Sequence, residues 1–401
     1  MHPYARLFLG SLGLLALSGC YHSDDYHSYG PSSNYLVNAI AVADIDANGF
    51  QDILGVVSTD LGGSPTQGYV STRLQMSAGT FALPPTRFGV GTGPANLVVL
   101  DVNGDGKPDL VVANADDHTV SVRFADPAKP GFFLPAIVLS TPGRTPLDVA
   151  AGNLSGHTDG LLDVVVAASG ANNVLVFNQT AAGTFSAPVP MTVGGDPQAV
   201  TVADLDNNGF TDIAVATSAN TVSVLLQTAA STFASAVDFT TGVQPVAIKA
   251  ANLSGHLDGK LDLLTANYGA AISPGTQGLS VLIQGASGTF AAPVHYTTDY
   301  RASGLAVGDL NSDGKPDVAV ACQGLPGYPG AVSVFLQNAS GAGVLLPAVN
   351  YPGVWGPMGV AIADMDGDGR LDLVLADGDI VVRLNSPTTP GTFGSPNLFY
   401  N

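Results

Sequence analysis

The chain has 401 residues, and 32 acidic against 13 basic groups give a formal net charge of −19. That balance excludes nucleic acid and anionic lipid as binding surfaces, because no basic stripe exists to neutralise phosphates. Every acidic residue is Asp and none is Glu, while 49 Gly and 27 Pro starve the sequence of helix formers and supply turns, so the 46% hydrophobic content points to a folded all-β protein that seeks cations.

Residues 1–19 place one Arg before an apolar run, the form of a secretory signal, and the run is too short for a stable bilayer span. Leu17, Ser18, Gly19 and Cys20 resemble a bacterial lipobox, which implies that Cys20 is lipidated and that residues 20–34 form a polar tether. With Tyr21 after the Cys, the resemblance implies a lipid anchor in the bacterial cell envelope, at the outer membrane or cell surface. Only Cys322 remains, so the lipidated chain has no internal disulfide, and its place after a Val-Ala-Val-Ala run predicts a buried small hydrophobe.

From residue 35 to 401 the chain repeats itself. Seven related loops begin at Asp44, Asp101, Asn153, Asp204, Asn252, Asp309 and Asp364, spaced 48 to 57 residues apart. Each lies between two alternating apolar runs, which reads as strand, tight loop, strand. A third run follows in most repeats, as at residues 119–124, 173–177, 221–226, 279–283 and 331–336. A fourth segment follows a Gly-aromatic punctuation, as in GTFSAPVPM and GTFGSPNLF, and its prolines suit an outer edge strand. Four strands repeated seven times predict a seven-bladed β-propeller, with a linear solenoid as the structural alternative, disfavoured because no distinct capping repeats appear. Whether an N-terminal strand closes the ring is left open by the sequence.

Five loops carry Asp or Asn at positions one, three, five and nine, with Gly at position six. They supply Asp44, Asp46, Asn48 and Asp52; Asp101, Asn103, Asp105 and Asp109; Asp204, Asp206, Asn208 and Asp212; Asp309, Asn311, Asp313 and Asp317; and Asp364, Asp366, Asp368 and Asp372. Oxygens at this spacing converge on a hard cation where a glycine permits the sharp turn, and Ca2+ suits the all-oxygen set better than magnesium or zinc. The bland alternative is that these side chains merely cap turns through Asx hydrogen bonds. The third and fifth loops are two residues longer and begin with Asn; Asp159, Asp163, Asp258 and Asp262 are weaker metal candidates, and His157 and His256 read as turn residues.

These patterns, quoted best by GTGPANLVVLDVNGDGKPDLVVAN at residues 91–114, resemble the FG-GAP and VCBS-like repeats of integrin-type β-propellers. The resemblance implies that the loop joins the first two strands of each blade and that calcium braces one face. Relatives of this kind serve as adhesion and receptor modules, and related repeats also accompany enzymes. The favoured function is a calcium-binding propeller that presents a protein- or carbohydrate-binding surface, through loops such as 60–68, 270–278 and 323–330. A polysaccharide lyase or hydrolase at the propeller face is the second reading, and a structural scaffold the third. No catalytic residue is assigned: there is no Glu, the seven His show no metal spacing, and no nucleophile or nucleotide motif appears. Asp148 reads as a solvated residue at the start of a strand, with an acid near the axial funnel as the alternative, and Asp377 and Asp379 read as turn residues.

Overall fold

The structure, a computed structural model, describes residues 35–399 apart from 60–66, 157, 159, 255–258, 270–277, 286–287, 326 and 339–342. The signal segment 1–19, Cys20 and its tether, Asp159, Asp258, His157 and His256 therefore lie outside the described residues, as do most of the loops at 60–68 and 270–278. No helix among the described residues is long and apolar enough to cross a membrane.

Seven four-stranded antiparallel sheets form, each from a consecutive stretch of chain. Their innermost strands are Tyr35–Ala43, Pro94–Leu100, Thr145–Gly152, Pro197–Ala203, Pro245–Ala251, Ala302–Gly308 and Gly359–Ala363. Residues from all seven line a central channel of about 610 Å³. The protein is a seven-bladed β-propeller, as the repeat count predicts. Blade seven takes all four strands from its own repeat, ending in Asn397–Phe399, and Tyr35–Ala43 is the inner strand of blade one. The ring thus closes by side-chain packing, with Ile53 of blade one set among Met365, Val374, Ile380 and Val382 of blade seven.

Period-two alternation explains how each blade is glued to both neighbours. In Asp212–Thr217 of blade four, Ile213 and Val215 enter the core shared with blade three, while Ala214 and Ala216 enter the core shared with blade five. Such a strand is buried on both faces, which is why it reads as an unbroken apolar run. Cys322 ends an equivalent strand, fully buried as expected, and burial pushes its thiol up to about 12, leaving it an inert packing group.

The fourth segments give the outer edge strands, as expected. Their Gly-aromatic part does not join the edge strand but turns beneath the blade, as where Thr184–Phe185 pairs with Gln179–Ala181, and the outer strand starts only after the proline, at Val189–Thr192. Buried aromatics draw the segment inward: Phe133, Phe290 and Phe393 meet Phe88, Phe239 and Tyr351 of the preceding blade edge-to-face, at centroid distances of 5.1, 5.2 and 5.4 Å. Pro84, Pro135, Pro188, Pro293 and Pro396 lie in the links before the outer strands, and Pro190 and Pro352 lie within them.

Candidate metal centres

All seven Asp loops connect the first and second strands of their blades, so they share one face of the propeller. In the regular loops the position-one carboxylate folds the chain around itself. Asp204 accepts the backbone N–H of Asn208 at 3.0 Å through Oδ1 and that of Gly209 at 2.8 Å through Oδ2; Asp44, Asp101, Asp309 and Asp364 repeat the pattern. Position five accepts the N–H of position seven in every regular loop, at 2.7 to 2.9 Å. The Asx hydrogen bonds of the bland reading are therefore present. They do not account for the charge.

Acidic oxygens converge in three of the loops. Asp44, Asp46 and Asp52, then Asp204, Asp206 and Asp212, then Asp364, Asp366 and Asp372 each place one carboxylate oxygen within 4.8 Å of the other two. Burial, reinforced by neighbouring carboxylates, raises Asp46 and Asp366 from the ordinary 3.8. Arg370 pairs with Asp368 in blade seven, whereas Phe50 and Phe210 fill the corresponding position seven in blades one and four. In the loops opening at Asp101 and Asp309 the amide and the acid exchange places: position three is Asn103 or Asn311, position five is Asp105 or Asp313, and position seven is Lys107 or Lys315. An all-oxygen donor set with crowded negative charge suits a hard metal ion.

Position nine does a second job that the spacing does not reveal. Asp52, Asp109, Asp163, Asp212, Asp262, Asp317 and Asp372 are wholly buried in all seven blades. Each carboxylate takes backbone N–H groups on both oxygens. Asp212 accepts Leu205 N–H at 2.7 Å and Gln227 N–H at 2.6 Å; Asp317 accepts Leu310 at 2.9 Å and Gln337 at 2.7 Å. Burial outweighs these bonds and lifts Asp52, Asp109, Asp212, Asp317 and Asp372 to about 6. The long loops keep the staple: Asp163 accepts the N–H and hydroxyl of Ser155 at 2.7 and 2.8 Å, and Asp262 accepts both groups of Ser254 at 2.7 Å.

A ring of amide side chains ties these loops together, and the sequence reading missed it. Position two of each loop is a buried apolar residue, such as Leu253 or Leu310, wedged into the core shared with the next blade. Its carbonyl is clamped by that next blade. Gln337 Nε2 donates to Leu253 O at 2.6 Å, Gln227 to Leu154 O at 2.6 Å, Gln179 to Val102 O at 2.9 Å, Asn385 to Leu310 O at 2.7 Å, and Gln284 to Leu205 O. Gln75 makes the same bond to Met365 O at 2.6 Å and so seals the joint between blades one and seven. Blade two has Ala125 at this place, and Gly131 N–H reaches Ile45 O at 3.1 Å instead. The signal was a Gln or Asn just past every third strand except that of blade two.

Asp148 is a correction. It lies inside the inner strand of blade three on the channel wall, where it accepts Asn96 Nδ2 at 2.7 Å, Val200 N–H at 2.9 Å and Val149 N–H at 2.8 Å, thereby joining blades two, three and four. Burial raises its pKa, opposed by those bonds and by Lys249. Asp377 and Asp379 end and begin the two strands of a hairpin, and the Asp377 carboxylate reaches outside its own turn: both its oxygens accept Trp355 N–H, at 2.7 and 2.8 Å, and burial lifts it to about 7.

The FG-GAP-like repeat family matches residues 158–215, 257–320 and 311–375, and the FG-GAP repeat matches residues 93–122. The chain belongs to the FG-GAP repeat family. Together the matched segments touch every blade but the first. No curated protein sequence matches this FG-GAP chain. Among solved structures it is similar to BBS1N in a complex with ARL6DN, at 13% identity and a TM-score of 0.55, covering 88% of this chain and 94% of that one. It is also similar to a functionally unknown protein from Desulfotomaculum acetoxidans, at 14% identity and a TM-score of 0.53, covering 83% and 96%. At such identities the likeness speaks for the fold.

Proposed function

We propose that this FG-GAP-repeat protein is an extracytoplasmic propeller braced by Ca2+ on one face, which frees the other to bind a protein or carbohydrate partner. The observation that carries the reading is the convergence of three Asp triads in loops whose second residue is a wedge between blades. An ion held by positions one, three, five and nine would lock that wedge, so metal binding and blade packing would stabilise one another by mass action. Calcium is the ion of choice because six to eight flexible oxygen ligands fit an Asp- and Asn-rich loop with a backbone carbonyl in reach. Lipidation of Cys20 would hold the propeller at the cell envelope. In BBS1N a chain of this fold meets a second protein, which supports a binding role over a catalytic one. Of the two acids that line the channel, Asp116 and Asp148, the latter accepts three hydrogen bonds that hold strands together.

Metal analysis after dialysis of chelator-stripped protein against calcium, with excess magnesium, tests the reading. The expected content is at least the three ions of the triads and at most the five of the regular loops. Less than one calcium per chain, or replacement by magnesium, rejects it.

A further inference from the structure

Inner strands end at the metal loops, so the connections from second to third strand and from fourth strand to the next blade lie on the opposite face. On that face aromatic residues occupy one sector. Tyr268, Tyr300, Tyr328 and Trp355 stand on four successive connections of blades five to seven, whereas the connections at 115–118, 141–144, 170–172, 193–196, 218–220 and 241–244 contain no Phe, Tyr or Trp. Tyr328 is 70% exposed and Trp355 53% exposed, high values for side chains that gain most from burial.

The sector is held as one surface. Tyr268 N–H donates to Gln244 O at 2.8 Å, and the Arg301 guanidinium lies 5.6 Å from the centre of the Tyr268 ring. Gln323 N–H donates to Arg301 O at 3.0 Å and Gly324 N–H to Tyr300 O at 3.2 Å, docking the Tyr328 connection onto its neighbour. Gly330 approaches the Pro357 ring so closely that a Cβ would sit 2.8 Å from it, which brings the Tyr328 turn against the Trp355 connection. Asp377 pins the Trp355 backbone while leaving the indole outside.

We infer that this sector binds a neutral glycan. Sugar rings offer flat C–H faces that stack on separately mounted Tyr and Trp rings, and their hydroxyls suit the Asp299, Arg301 and Asp377 groups between them. Rigid aromatic side chains lose little conformational entropy when they dock such a ligand. A polyanionic glycan would meet a chain of net charge −19. A protein partner would call for a continuous apolar centre, yet among the described residues of this face Val243 is the one exposed large aliphatic side chain. The inference rests on the proposed binding role, and calcium bracing stands independently of it.

Trp355 is the only Trp in the chain, so indole fluorescence, excited selectively over tyrosine, reports this sector alone. Calcium-loaded protein is titrated with cellotetraose, xylotetraose, mannotetraose and maltotetraose, with trigalacturonate as the acidic control. Saturable change with at least one neutral tetraose, absent with trigalacturonate, is the expected result. Tyr328→Ala should weaken that binding by about tenfold, the usual scale for losing one stacking ring, and Tyr328→Phe should restore it. No saturable response to any neutral tetraose overturns the inference, as does a response that Tyr328→Ala leaves unchanged or that trigalacturonate matches. Fluorescence silence alongside a normal calcium content removes the glycan and spares the bracing. Loss of both removes the proposed function itself.

Discussion

Blades three and four are neighbours with the same four strands and the same buried position-nine Asp, yet their loops solve the same electrostatic problem differently. In blade four, Asp206 at position three adds a carboxylate beside Asp204 and Asp212. In blade three the equivalent residue is Ser155, whose hydroxyl donates to Asp163 at 2.8 Å. At position three one loop adds negative charge that favours a cation, and the other supplies a proton donor to the buried carboxylate. The comparison separates two roles within one motif: position nine is scaffold, and positions one to five carry the demand for an ion.

The largest effect should come from breaking the scaffold in blade three, where position three is Ser155 instead of an acid. Asp163→Ala strands the N–H groups of Leu154, Ser155 and Gln179, and at about 1–3 kcal/mol for each buried orphan a loss of roughly 4 kcal/mol is expected. Denaturant unfolding should show that loss with and without calcium; a change below about 1 kcal/mol would remove the staple from the account. Next comes Asp206→Asn, which keeps shape but removes charge. It should cost about 3 kcal/mol at a calcium concentration some hundredfold above the dissociation constant and little in chelator, as measured by paired unfolding curves. Equal costs in both conditions would merge the two roles.

The amide clamp sharpens the comparison further. Gln337→Ala orphans the Leu253 carbonyl of one donor, although Gly343 N–H still reaches it at 3.0 Å, so a loss of about 1 kcal/mol independent of calcium is expected. The last effect concerns pH. Asp52, Asp109, Asp212, Asp317 and Asp372 stand at about 6, above the ordinary 3.8, so the metal-free native state binds protons more tightly than the unfolded chain. Metal-free protein should therefore gain stability as pH falls from 7 toward 4, seen as a rise in melting temperature. Bound calcium holds the carboxylates ionised and reverses the sign, and melting curves at several pH values in chelator and in calcium would show parallel trends if no ion binds.

The blade count was legible because repetition of DxDxxGxxD-like loops amplifies a signal that a single loop carries weakly. Pairing of the second and third strands followed from alternation. Less legible was the fate of the Gly-aromatic segments, because a Phe that packs beneath the neighbouring blade reads locally like any strand residue. Asp148 misled for a related reason: its partners Asn96 and Val200 come from other blades, about fifty residues away on either side, and no local pattern announces them. The amide clamp was present in the sequence as a repeated Gln or Asn. Its meaning depends on which carbonyl it meets, and only the ring geometry supplies that.

The central claim is that ion binding at positions one to five locks the wedge between blades. Thermal unfolding of chelator-stripped protein across a free-calcium titration, with magnesium in parallel, tests it most directly. The account predicts a large calcium-selective rise in melting temperature that shrinks in the triple variant Asp46→Asn, Asp206→Asn, Asp366→Asn and persists in Asp163→Asn. A melting temperature indifferent to calcium, or a rise of equal size in the triple variant, would contradict it.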